Sequence, residues 1–283
     1  MMAGDLPSRG ARVMRRAMPV LDQLAAPYST ILCDIWGVVH DGGRLLPGAA
    51  ERLSAWKAAG KTIILVTNAP RPASTVQAGL DILGLKRGAY DAITSSGEAG
   101  IAALIDPPRR VGFLGSRADH ADLVAHGVEI ADHNFTEVAC TGLDEAHDLP
   151  ADYVDQLERW AGRDILFHCL NPDREVIRSG EREACAGALA DLYAGMRGRV
   201  AWYGKPDAPI YAHALALAGG PPRDQVLAIG DGPVTDMLGA ARFGIDAIFI
   251  SHGIHAGAPF PLDFAERHGL GDWRPLATLP DLS

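Results

Sequence analysis

Three apolar runs in this chain end abruptly on polar residues, and each gives way to a segment with helical spacing. "STILCDIWGVV" reaches Asp34, "KTIILVTNA" reaches Thr67 and Asn68, and "QVLAIGDG" reaches Asp231. None alternates apolar with polar residues, so both faces of each strand must be covered. Strand followed by helix, repeated, is the rhythm of a parallel sheet with helices on its faces. The intervening segments fit. "GAAERLSAWKAAG" puts Leu53, Trp56 and Ala59 on one helical face, opened by Pro47 and Gly48 and stopped by Gly60. "STVQAGLDILG" reads as a helix, and "DAITSSGEAGIAALI" as a strand running into another.

The middle of the chain changes character. Pro107, Pro108, Arg109 and Arg110 punctuate it, and short strands "VGFLG", "TEVACTGL", "DILFHCL" and "EVIRS" mix with helices at "RADHADLVAHG" and "ADYVDQLERWAG". After a helix at "GALADLYAGM", the first rhythm is expected to return with "RVAWYGK", "APIYAHALALAG", "QVLAIGDG", "VTDMLGAARFG" and "DAIFISHG". At 283 residues the chain exceeds one average domain. The simplest arrangement is α/β: a discontinuous core over 1–105 and 184–283, with a second α/β domain inserted at 106–183.

Hydrophobic residues at 48% and charged residues at 22% are the balance of a soluble globular enzyme. A net charge of −9 opposes nucleic-acid binding, which needs a basic face. No apolar run approaches the ~18–20 residues of a membrane span, so no membrane partner is expected. Arg9, Arg12, Arg15 and Arg16 lack the apolar stretch of a secretion signal; the segment reads as a tail rather than a transit peptide, with Met14 and Met18 as alternative starts. Cys33, Cys140, Cys169 and Cys185 show no CxxC spacing and read as reduced core residues of a cytoplasmic protein.

In open parallel sheets, ligands bind beyond the carboxyl ends of the strands. Asp34, Thr67, Asn68 and Asp231 stand there, with Asp236 close after Asp231 and Lys205 following "AWYG". Paired carboxylates suit a hard divalent cation such as Mg²⁺, which also takes waters and substrate phosphate. A hydroxyl, an amide and an ammonium suit phosphate oxygens. Any one of these residues alone would read as a turn former, a helix cap or a surface group. Their arrival in turn at successive strand ends reads as one site.

The segments "DIWGVVHDG" with "LPGA", "LVTNA", "AITSSGEA", "NPDR", "GKPDAPIY" and "IGDGPVTDMLGA" follow one another over about 30–250. In this order they resemble the haloacid dehalogenase (HAD) superfamily, subclass IIA, whose members include sugar-phosphatase and pyridoxal-phosphatase-like enzymes. "GDGPVTD" is no dinucleotide fingerprint, because Thr235 stands where GxGxxG requires glycine. The resemblance implies a Rossmann-like HAD core with an inserted C2-type α/β cap. It also implies a Mg²⁺-dependent phosphatase for a small phosphorylated metabolite. Asp34 matches the nucleophile that forms an aspartyl-phosphate, splitting one hard step into two easier ones. Asp231 matches the metal-binding carboxylate, Asp34 supplies a second oxygen, the Trp36 backbone carbonyl a third, and Asp236 matches an acid that holds metal waters. Thr67, Asn68 and Lys205 match the phosphate-binding groups, and Lys205 offsets the charge crowded between Asp34 and phosphate.

Trp36 departs from the family, which places there a second aspartate that protonates the leaving alcohol and later deprotonates water. Indole can do neither, since its N–H is a donor only. Losing such help commonly costs ~10²–10⁴-fold in rate. Three readings stay open: a slow phosphatase favouring good leaving groups; replacement by another residue, from His40, Asp41, His168, Asn171 or Asp173; or binding of a phosphorylated ligand without turnover, as a sensor or partner. "HCLNPDREVI" is similar to the family loop that enters the site from the cap, so Asn171 and Asp173 are candidate substrate-reading groups. Asn-Pro-Asp also favours a turn, and both readings are compatible. Assembly as a homodimer through the cap is left open.

Overall fold

The computed structural model describes residues 20–178, 181–252 and 259–283. The arginine-rich segment with Met14 and Met18 lies outside them. Strands β1 (Thr30–Asp34), β2 (Thr62–Thr67) and β3 (Ala92–Ser95) begin a first sheet. β4 (Arg110–Leu114), β5 (Glu129–Ile130), β6 (Glu137–Cys140) and β7 (Leu166–Cys169) belong to a second, and β8 (Glu175–Arg178) and β9 (Glu181–Ala184) pair with each other. β10 (Arg199–Trp202) joins the second sheet, and β11 (Val226–Gly230), β12 (Asp246–Ile250) and β13 (Ala277–Leu279) complete the first.

The first sheet is six-stranded and parallel, in the order β13-β12-β11-β1-β2-β3. Every residue of β1 is buried, as its unbroken apolar run requires. Ile31, Cys33, Ile63 and Leu65 face Leu53, Trp56 and Leu80 on one side. Leu32, Ile64 and Val66 face Ile210, Tyr211 and Met237 on the other. The chain steps outward from β1 to β3, leaves the sheet, and returns to β11 on the opposite side of β1. Connections therefore diverge between β1 and β11, and a crevice opens at their carboxyl ends. Cys33 is in register with Ile229, which brings Asp34 and Asp231 to that crevice.

The second sheet is parallel, in the order β10-β7-β6-β4-β5. Tyr153, Leu157, Trp160, Leu189 and Tyr193 cover one face, and Ile101, Leu104 and Leu123 the other. Here the structure departs from the expected boundary at 183. "RVAWYGK" was expected in the core, but Arg199 to Trp202 hydrogen-bonds along β7, and the helix Ala186–Gly195 packs on the same sheet. A short strand signal does not say which sheet the strand joins, and β10 is exposed or half-buried along its length. Glu175–Arg178 pairs antiparallel with β9, outside both larger sheets. All four cysteines are buried, and among the described residues no helix is long and apolar enough to cross a membrane.

Candidate active site

Asp34 ends β1, Asp231 directly follows β11, and Asp236 lies in the helical turn Pro233–Met237. One carboxylate oxygen from each lies within 4.8 Å of the others. Lys205 Nζ donates to Asp34 Oδ1 at 2.6 Å and to Asp236 Oδ1 at 2.8 Å. None of the four side chains belongs to a residue more than 6% exposed. Asp236 Oδ2 accepts from Gly232 N and Thr235 Oγ1, both at 3.2 Å, so the carboxylate is aimed from behind. Gly37, at φ +82°, lies against the cluster: a Cβ there would sit 2.1 Å from Asp231 Oδ2.

Burial pushes the Asp34 carboxyl well above the usual carboxylate range; Asp236 and Asp231 add to this and Lys205 opposes it. Burial alone would depress Lys205, but Asp236 and Asp34 hold its pKa well above the ordinary lysine value, so it is an ammonium. With the carboxylates ionised against one ammonium, the cluster carries two excess negative charges. Uncompensated buried charge is strongly unfavourable. A hard dication with oxygen ligands balances it, so the donor set fits Mg²⁺.

Thr67 ends β2 and lines the cavity above the cluster. Asn68 is placed differently from its expected role on phosphate oxygens. Its Oδ1 accepts from Lys205 N at 2.7 Å, while Nδ2 donates to Lys205 O at 3.1 Å and to Asp173 Oδ1 at 2.8 Å. The amide is occupied by protein and fixes both Lys205 and the Asn-Pro-Asp loop. Asn171 makes the turn: its Oδ1 accepts from Asp173 N at 3.2 Å, and its side chain is not part of the cavity wall. Asp173 does line the cavity.

That cavity, about 740 Å³, is walled by the core residues Asp34, Thr67, Lys205 and Asp231 and by Asp173, Arg174 and Trp202 of the inserted unit. Trp36 also lines it. The indole is held edge-on by His40, ring centroids 5.3 Å apart, and its far edge rests on Gly42, where a Cβ would sit 2.5 Å from Cη2. His40, Asp41 and His168 stand outside the cavity wall. His40 Nδ1 accepts from Gly42 N at 2.9 Å, and burial lowers its pKa against the pull of Asp41. Asp41 caps the amides of Gly43 and Arg44, both at 3.0 Å. His168 is clasped by Tyr203 Oη at 2.7 Å and Glu137 Oε2 at 2.8 Å.

Sequence reasoning missed Gly37, Trp202, Arg174 and Arg242. The Arg174 guanidinium lies 5.2 Å from the centre of the Trp202 ring and grips Asp191 through two 2.9 Å bonds. Arg174 stood within the quoted "NPDR", but only the fold brings it to Trp202.

Residues 31–129 match a family model described as haloacid dehalogenase-like hydrolase, and residues 202–268 a HAD-hydrolase-like model. Comparison with curated proteins returned no match. A haloacid dehalogenase-like hydrolase from Brucella suis 1330 is 36% identical, with a TM-score of 0.80 over 93% of this chain and 98% of that one. The fold is shared with a p-nitrophenyl phosphatase from Archaeoglobus fulgidus, at 23% identity and TM-score 0.74 over 90% and 97% of the two chains. It is shared also with NagD from E. coli K-12, at 22% identity and TM-score 0.71 over 90% and 97%. The first family model runs through β1 to β4 and the second through β11 and β12, and the Brucella likeness runs through nearly all of both chains. This protein therefore belongs to the haloacid dehalogenase-like hydrolase family.

Proposed function

We propose that this chain is a Mg²⁺-dependent phosphatase that hydrolyses a small phosphomonoester through an aspartyl-phosphate on Asp34. The carrying observation is the Asp34 carboxylate, fixed at the end of a buried strand, 2.6 Å from Lys205 Nζ and beside Asp231 and Asp236. A rigid strand end positions a nucleophile better than a loop does. One Asp34 oxygen is held by Lys205, and the carboxylate attacks phosphorus as the bond to the leaving oxygen breaks. Water then attacks the same phosphorus, and Asp34 departs as carboxylate. The Thr67 hydroxyl donates to a phosphate oxygen, Lys205 offsets charge in the transition state, and Asn68 keeps the Lys205 backbone in place. Asp34, Asp231 and the Trp36 carbonyl would hold Mg²⁺, with Asp236 orienting its waters; the ion would neutralise charge and orient the phosphate. The likeness to the Archaeoglobus fulgidus protein named as a p-nitrophenyl phosphatase supports the reaction class. Four buried cysteines with no CxxC spacing support a reducing, cytoplasmic setting.

The test is turnover of p-nitrophenyl phosphate by purified protein with Mg²⁺. Its leaving group needs little protonation, so Trp36 does not stand in the way. Hydrolysis that stops on chelation and returns with Mg²⁺ is expected. One observation favours a second reading: an indole lines the cavity where the family acid stands. Tight binding of a phosphorylated compound with no phosphate released from any ester would establish that binding-protein reading instead.

A further inference from the structure

With Trp36 in place, the proton donor must come from elsewhere in the cavity wall. Outside the Asp34, Asp231, Asp236 and Lys205 cluster, the ionisable groups of that wall among the described residues are Asp173, Glu175, Asp207 and two arginines. Guanidinium keeps its proton. Glu175 is exposed and paired with Arg182. Asp207 precedes the helix Ala208–Leu217 of the core, two residues from the lysine that flanks the nucleophile. Asp173 comes from the other wall, on the loop that follows β7 of the inserted unit. In an in-line displacement the leaving oxygen lies opposite the attacking one. A nucleophile rooted in the core sheet therefore directs its leaving group toward the inserted unit.

Resting on the phosphatase reading, we propose that Asp173 is the general acid and base of this enzyme, in the role the family gives to the position held here by Trp36. Its carboxyl is located relative to the nucleophile by linked hydrogen bonds. Asn68 Nδ2 donates to Asp173 Oδ1 at 2.8 Å, the same amide accepts from Lys205 N at 2.7 Å, and Lys205 Nζ lies 2.6 Å from Asp34 Oδ1. Asp173 Oδ2 makes no hydrogen bond among the described residues. The charged groups around it are Lys205, Asp236 and Arg174. Burial raises its pKa, Asp236 adds to the rise, and the Asn68 bond, Lys205 and Arg174 oppose it, leaving it above the ordinary aspartate value. A carboxyl that keeps its proton to higher pH is the better donor near neutrality.

The steps balance. An Asp34 oxygen bonds to phosphorus as the ester bond breaks, and the Asp173 proton passes to the leaving oxygen, so the alcohol departs neutral. Water then enters, the Asp173 carboxylate takes its proton as the oxygen bonds to phosphorus, and the Asp34 bond breaks. Both carboxyl groups return to their starting forms, and phosphate is released.

The experiment measures kcat/KM of the full-length protein with Mg²⁺ over esters graded by leaving group: p-nitrophenyl, phenyl and alkyl phosphates. Asp173→Asn keeps the acceptor for Asn68 but cannot give a proton. Its alkyl phosphate turnover should fall by ~10²–10⁴-fold, and that of p-nitrophenyl phosphate by less than about tenfold. Adding Trp36→Asp to Asp173→Asn should recover alkyl turnover. Wild-type kcat/KM for alkyl esters should decline at high pH, a limb that p-nitrophenyl phosphate lacks; this reading needs no variant to fold. An equal loss on all esters, no loss, a missing limb, or transfer of the leaving-group effect to Asp207→Asn would each overturn the assignment. Wild-type inactivity on every ester, p-nitrophenyl phosphate included, would instead overturn the phosphatase reading and this inference with it.

Discussion

Trp36 is a built part of the site rather than a filler beside it. Its ring packs on Gly42 and against His40, and the residue lines the cavity. If Asp173 donates the proton, Trp36→Asp in the otherwise unchanged chain adds a second acid, not a first. Alkyl phosphates should then gain less than about tenfold, against the up to ~10²-fold expected where an acid is simply missing. The indole is half-buried, so the cost in stability should be about 1–2 kcal/mol, below the ~3–5 kcal/mol typical of a fully buried tryptophan. Thermal melts beside the ester series separate the two effects. A large alkyl gain in a folded variant would mark position 36 as a plain loss.

The passage from β10 into the core decides how the two walls meet. Gly204 lies between Asn68 and the Asn-Pro-Asp loop; a Cβ there would sit 2.5 Å from Asn68 Oδ1 and 2.6 Å from Pro172 Cγ. Gly204→Ala should displace Lys205 and Asp173 together and lower kcat/KM for p-nitrophenyl phosphate by about 10²-fold, the usual effect of a shift near 1 Å. Unchanged kinetics would show that the clamp is slack. This same passage marks where sequence reading stops. Asp34, Thr67 and Asp231 were legible because an apolar run that ends on a polar residue is a local signal. β10 carries only the short apolar stretch Val200-Ala201-Trp202 after Arg199, and nothing local says that it pairs with β7 rather than with the core. The amide of Asn68 could serve phosphate or backbone with equal chemistry, and only the approach of Lys205 and Asp173 decides between them. Arg174 and Trp202 meet across the fold, so their stacking left no trace in either segment.

In the proposed enzyme the buried charge cluster would couple Mg²⁺ binding to the stability of the core. In the metal-free chain Asp34 has a pKa above its unfolded value. The stabilisation that its bound proton gives is complete below the unfolded pKa and is lost as pH rises through the folded one. Mg²⁺ must displace that proton, so its stabilising effect should be larger near about pH 8 than near about pH 5.5. At ~100 times its dissociation constant the ion adds about 2.7 kcal/mol, and each kcal/mol raises Tm by roughly 2–4 °C in a chain of this size. An equal Tm rise at both pH values would place the ion away from Asp34. The proposed reaction depends on Asp34 carrying the phosphoryl group. The direct measurement is rapid-quench mass spectrometry of the protein during turnover of p-nitrophenyl phosphate with Mg²⁺. The peptide containing Asp34 should gain the mass of one phosphoryl group, and Asp34→Asn should show neither the adduct nor turnover. An adduct on another residue, or undiminished turnover by Asp34→Asn, would contradict the assignment.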